Sequence, residues 1–134
     1  MAFEFFKSQI NPNSPDMIWK PSTTSETYAV GETLKISSAG KLTKASGTDV
    51  PVYVCSASYA APSSNAKEIP VVEINPGQIY RVPLQASGSS LKVGDKVTIH
   101  TDGLQVTATT TSGVAEIVKI EGTGVGDYVQ VHLA

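Results

Sequence analysis

The groups most able to do chemistry are few. Cys55 is the lone cysteine, and His100 and His132 are the only histidines. A zinc site would need both histidines adjacent in space, with a carboxylate or Cys55 completing the set. Both lie in strand-like segments, where a surface or edge histidine is the simpler reading. Cys55 ends the apolar run Val50-Pro51-Val52-Tyr53-Val54-Cys55 and reads as small, buried and inert, which weakens any Cys–His dyad. Ser38 with Lys41, and Ser64 with Lys67, have the spacing of a serine nucleophile and its lysine. That chemistry needs a helix to carry the lysine back one turn, and these pairs fall in a hairpin turn and a proline-containing loop. Gly122-Thr123-Gly124-Val125-Gly126 has the glycines of a phosphate loop but neither the Lys-Ser/Thr ending nor a following helix. Glu32, Asp49, Asp95, Asp102 and Asp127 sit at turns, where a carboxylate bonds neighbouring amides. No enzyme is expected, and no cofactor or metal.

The elements around these groups are β-strands. Only 16% of the 134 residues are charged, while Ser, Thr, Gly and Pro abound. Such a chain lacks the Glu, Lys, Arg and Ala needed for solvated helix faces, but it suits short strands with glycine, proline or aspartate at their corners. Residues 33–37 alternate polar and apolar, turn at 38–41 and return over 42–45. The run 50–55 predicts a strand buried on both faces beyond Pro51. Residues 69–74 and 79–84 flank Asn75-Pro76-Gly77-Gln78, a hairpin signal. Further strand pairs are expected at 97–99 with 104–108, and at 114–120 with 128–133. The sum is an all-β fold of about eight or nine short strands, a small barrel or sandwich.

Val30-Gly31-Glu32-Thr33-Leu34-Lys35-Ile36, with Gly40 beyond, matches Val93-Gly94-Asp95-Lys96-Val97-Thr98-Ile99, with Gly103 beyond. Carried on without a gap, the match lays Val54-Cys55 over Ile117-Val118. An internal duplication is one reading; a common strand-leading turn used twice is the other.

Residues 1–25 differ from the body at 26–134. Phe3, Phe5, Phe6 and Trp19 fall here, with Ile10, Met17 and Ile18, around the helix-breaking Asn11-Pro12-Asn13-Ser14-Pro15-Asp16. Burying each large side chain contributes roughly 1.5–3 kcal/mol, against roughly 1–2 kcal/mol per residue for ordering the backbone. An extended N-terminal arm is expected, one that settles only against a surface. Phe3, Phe5, Phe6, Ile10 and Trp19 are its candidate partner-binding residues. In an extended chain Phe3 and Phe5 share a face and Phe6 takes the other.

The formal net charge of −2, with both signs interspersed, argues against nucleic acid as a partner. No apolar run is long enough for a membrane helix. The N-terminus has Glu4 where a signal peptide needs basic charge, and one cysteine permits no internal disulfide.

A cysteine-poor, Thr/Ala/Gly/Val-rich β body behind an extended arm resembles the head decoration, or cement, proteins of lambda-like tailed bacteriophages. The resembling segments are Ala29-Val30-Gly31-Glu32-Thr33-Leu34, Val93-Gly94-Asp95-Lys96-Val97, and the closing runs 114–118 and 128–133, within residues 28–134. The resemblance implies a subunit made in the host cytoplasm, commonly a homotrimer, that binds the major capsid protein on the outside of the expanded virion shell. It implies no catalytic residue. A carbohydrate- or receptor-binding module of a tail fibre or adhesin is the alternative. Its support would have to come from Tyr28, Tyr53, Tyr59, Tyr80 and Tyr128.

Overall fold

The structure, a computed structural model, describes residues 1–9 and 15–134. Among them there is no helix, so the all-β expectation holds. The strands run β1 (Glu4–Ser8), β2 (Met17–Pro21), β3 (Thr27–Tyr28), β4 (Thr33–Ile36), β5 (Leu42–Lys44), β6 (Tyr53–Cys55), β7 (Tyr59–Ala60), β8 (Glu68–Glu73), β9 (Gln78–Pro83), β10 (Lys96–Val97), β11 (Ala115–Ile120) and β12 (Tyr128–His132). They form two five-stranded antiparallel sheets, ordered β2-β8-β6-β4-β5 and β1-β9-β12-β11-β10, with β3 and β7 as a separate pair.

The two sheets are copies of one design. The ladder β2-β8-β6-β4 recurs as β9-β12-β11-β10, and the registers agree pair by pair. Ile18 faces Val71 as Tyr80 faces Val131; Cys55 faces Val71 as Ile117 faces Val131. Gly31 and Gly94 open β4 and β10 with φ of 82° and 98°, a region where an L side chain is strained. Each donates its N–H to the adjacent strand, to Cys55 O and Ile117 O respectively, both at 2.8 Å. Gly40 and Gly103 close the following hairpins through N–H bonds to Ser37 O and His100 O, both 2.9 Å. Each sheet also curls back on itself. Ser22, just after β2, lies parallel to Leu42 in β5. Leu84, just after β9, lies parallel to Val106, which bridges Ile99 beyond β10.

The structure moves three sequence expectations. First, the gap-free register fails between the hairpin and the next strand: Val54-Cys55 lies over Glu116-Ile117, one residue from the expected Ile117-Val118. Because side chains alternate, that slip decides which of them face the core. Second, Asn75-Pro76-Gly77-Gln78 does turn the chain, with φ of 87° at Gly77, but β8 and β9 belong to different sheets. The turn is the crossing between the copies. Third, the described segments of residues 1–25 pair with the body and are not set apart from it. Met17–Pro21 is the opening strand of the first copy, and Glu4–Ser8 is an outer strand of the second sheet.

Each sheet has its own apolar cluster. One gathers Tyr80, Val82, Leu84, Val97, Ile99, Ile117, Val129 and Val131; the other gathers Tyr28, Leu34, Leu42, Tyr53, Cys55, Ile69 and Val71. Strand β6 runs between them. Val54 packs into the first cluster while Tyr53 and Cys55 pack into the second, which is why this run is apolar on both faces.

Candidate partner-binding surface

The expected binding residues separate into two environments. Phe3 is 2% exposed and belongs to the first cluster. Its N–H donates to Gly31 O at 2.9 Å, and a Cβ on Gly31 would lie 2.4 Å from the Ala2 Cβ, so only glycine lets the N-terminus approach. Phe5 is half-buried, edge-on to Tyr80 with centroids 5.9 Å apart. Phe3 is enclosed, so it does not offer its ring to a partner and the expectation for it is corrected, while Phe5 keeps part of its ring at the surface. The reason is that β9 offers β1 a ladder, Glu4 opposite Arg81 and Lys7 opposite Ile79, and the apolar cluster takes the rings on one face.

Phe6 goes the other way. The register slips between Phe5 and Lys7, so Phe6 and Lys7 together stand against Ile79 as a bulge, and the Phe6 ring faces outward, as alternation from Phe5 requires. It is 48% exposed, with the Lys7 ammonium 5.5 Å from its centroid. Beside β1 lies an apolar groove of about 320 Å³ lined by Ala2, Phe5, Val30, Val54 and Val72. Trp19 is 62% exposed on β2, and Met17, two residues before it on the same face, is 61% exposed. Met17 was not among the sequence candidates. The two-residue alternation with Trp19 is the signal that would have found it, once this segment is read as a strand. Ile10 lies outside the described residues.

The remaining chemistry-bearing groups are placed as follows. Among the described residues no cluster of His, Cys, Asp and Glu could hold a metal. His132 Nδ1 stands 3.7 Å from Glu116 and its Nε2 3.1 Å from Gln9 Oε1. Cys55 is buried, burial pushes its thiol up, and its Sγ contacts Ala57 O at 3.1 Å. In the glycine turn 122–126 the chain supplies its own anion. Asp127 Oδ2 accepts the Gly124 N–H at 2.9 Å, and a Cβ on Gly122 would meet that carboxylate at 2.6 Å. The tyrosines do not form an exposed aromatic face: Tyr28, Tyr53 and Tyr80 are buried and Tyr59 and Tyr128 half-buried.

Two carboxylates carry perturbed protonation. Glu32 is 3% exposed, and desolvation raises its pKa to about 6 against the pull of Lys44. Its Oε2 accepts the Ala29 N–H at 3.3 Å, while Oε1 has no partner among the described residues. Its counterpart in the second copy, Asp95, is half-buried and accepts the Lys92 N–H at 2.9 Å. Glu121 is lowered to about 2 by the Arg81 fork, whose two bonds measure 2.8 and 2.9 Å, with help from Gln130 at 3.0 Å. Arg81 also lies over the Tyr128 ring at 4.2 Å. These contacts stiffen the outer face of the β9–β12 ladder. No protein-family model matches the chain, and no curated protein matches it.

Proposed function

We propose that the protein is a structural subunit that binds the outside of an assembled, expanded bacteriophage capsid and stabilises it. The observation that carries this reading is Phe6, exposed on an outer strand whose other face, through Phe5, borders an apolar groove. Large apolar side chains at a sheet edge, rimmed by polar residues, suit a partner that supplies extended chain and small pockets. The segment resemblance to cement proteins supplies the partner: the major capsid protein. A ligand that binds only the assembled form stabilises it by linkage, so many copies of modest affinity suffice. On this reading the shell meets a pre-folded edge, since β1 is already paired and Phe3 already buried; little ordering entropy is then lost on docking.

Co-sedimentation tests this, using expanded and unexpanded heads assembled from the major capsid protein of the same genome. Wild-type protein is expected to pellet with expanded heads only. Phe6→Ala should weaken binding by about 1–2 kcal/mol, roughly five- to thirty-fold. Absence of binding to either head, or saturable binding to a purified glycan instead, overturns the proposal.

A further inference from the structure

Strands β2 and β9 are equivalent, yet their outer edges are not. Arg81 and Ile79 on β9 face Glu4 and Lys7 of β1; on β2 the equivalent positions are Trp19 and Met17, and no described strand lies beside them. The direction of the main-chain groups follows from two prolines. Trp19 stands opposite Pro70, which has no N–H and whose carbonyl accepts the Ser56 N–H at 3.0 Å on its other side. Ser22 donates its N–H toward Lys67 O at 3.4 Å, which continues the bonded positions of Ile18 and Lys20 on β8. The N–H and C=O groups of Met17 and Trp19 therefore point away from β8.

We propose that this edge pairs with the same edge of a second copy, antiparallel, about a two-fold axis at Ile18. The segment Pro15-Asp16-Met17-Ile18-Trp19-Lys20-Pro21 is complementary to itself read backwards. With Ile18 against the partner's Ile18, Met17 meets the partner's Trp19 and exchanges main-chain bonds with it. Asp16 meets the partner's Lys20, and Pro15 meets the partner's Pro21. The apolar side chains exposed on β2 then cover one another and opposite charges face across the seam. Proline at both ends stops the ladder where neither strand could donate. Other registers lose this match. Trp19 against the partner's Trp19 sets Met17 against the partner's Pro21, which has no N–H, and leaves Lys20 against the partner's Ile18. The pairing stands independently of the capsid reading, because it uses β2 and leaves Phe6 on β1 free of it.

Sedimentation equilibrium of the full chain, with charge swaps at the surface, tests it. Wild-type protein is expected to dimerise, with Trp19 emission shifting to the blue as concentration rises. Asp16→Lys alone sets lysine against lysine, and Lys20→Asp alone sets aspartate against aspartate. Each should raise the Kd about ten-fold or more, since two cross-strand pairs turn from attraction to repulsion. Mixing the two variants restores every opposite pair and should restore the dimer, as should the double variant. Thermal melts of each variant confirm that it is folded. A wild-type monomer at all concentrations, a dimer or trimer indifferent to both single swaps, or a mixture that fails to associate overturns the proposal.

Discussion

The two halves of the molecule share a ladder and differ at its border. In the second half β1 lies along β9, so Ile79 is only 3% exposed. In the first half nothing described lies along β2, and the equivalent Met17 faces solvent. The inner strands match closely, down to the positive φ at Gly31 and Gly94, while the outer edges differ. An inner strand is constrained by two neighbours and a core, whereas an outer strand has one neighbour and is where a partner can be added.

Substitutions at equivalent or paired positions would break or sharpen that contrast. The largest effect is expected at the covered edge. Phe3→Ala should cost about 3–5 kcal/mol in denaturant unfolding, the range for emptying a buried aromatic site, while Trp19→Ala should stay within about 0.5 kcal/mol in monomeric protein. Equal costs would mean that the two edges are equally exposed in solution. Next come the twin glycines. Gly94→Ala meets open space and should lose about 1 kcal/mol to backbone strain; Gly31→Ala also collides with Ala2 and should lose roughly 2–3 kcal/mol.

The buried Glu32, whose place in the second copy is taken by the half-buried Asp95, gives a pH test. A folded-state pKa raised to about 6, against 4.5 unfolded, means that the folded state holds its proton longer. Stability then falls as pH rises from about 4.5 to 6 and stays lowered above that. Glu32→Gln should remove the fall and gain about 2 kcal/mol at pH 8 relative to pH 4. The smallest effect belongs to the Arg81–Glu121 pair, part-exposed on the sheet face. Glu121 is lowered to about 2, so its contribution is present above pH 4.5 and fades as pH falls toward 2. Glu121→Gln should cost about 1 kcal/mol near neutrality and nothing at pH 2, read from urea midpoints.

Much of the body was legible in the sequence. The hairpins at Gly40 and Gly103, the paired closing strands and the doubly buried run at Tyr53–Cys55 follow from period, turn residues and apolar density. The Gly31/Gly94 echo marked the duplication, because a left-handed turn with a carboxylate after it leaves a local signature. Its full extent was hidden. Ile18-Trp19-Lys20-Pro21-Ser22 shares little with Tyr80-Arg81-Val82-Pro83-Leu84 beyond one proline, and only ladder registers align them. The same gap produced the expectation of a separate arm. Two strands that pair with distant segments look unsupported locally, since their partners, residues 68–72 and 78–81, lie far along the chain. The exposed Phe6 was legible by alternation, whereas the burial of Phe3 and Phe5 depended on where β9 would fall.

The pairing of β1 with β9 also bears on how the molecule is made. The ribosome delivers residues 4–8 well before their acceptor at 78–81, which emerges only after the whole first ladder has been synthesised. During that interval Phe3 and Phe5 have no cluster to enter, and the nascent chain carries a short, sticky, aromatic segment. Expression yield and aggregation should therefore respond to translation speed and to chaperones that hold nascent chains.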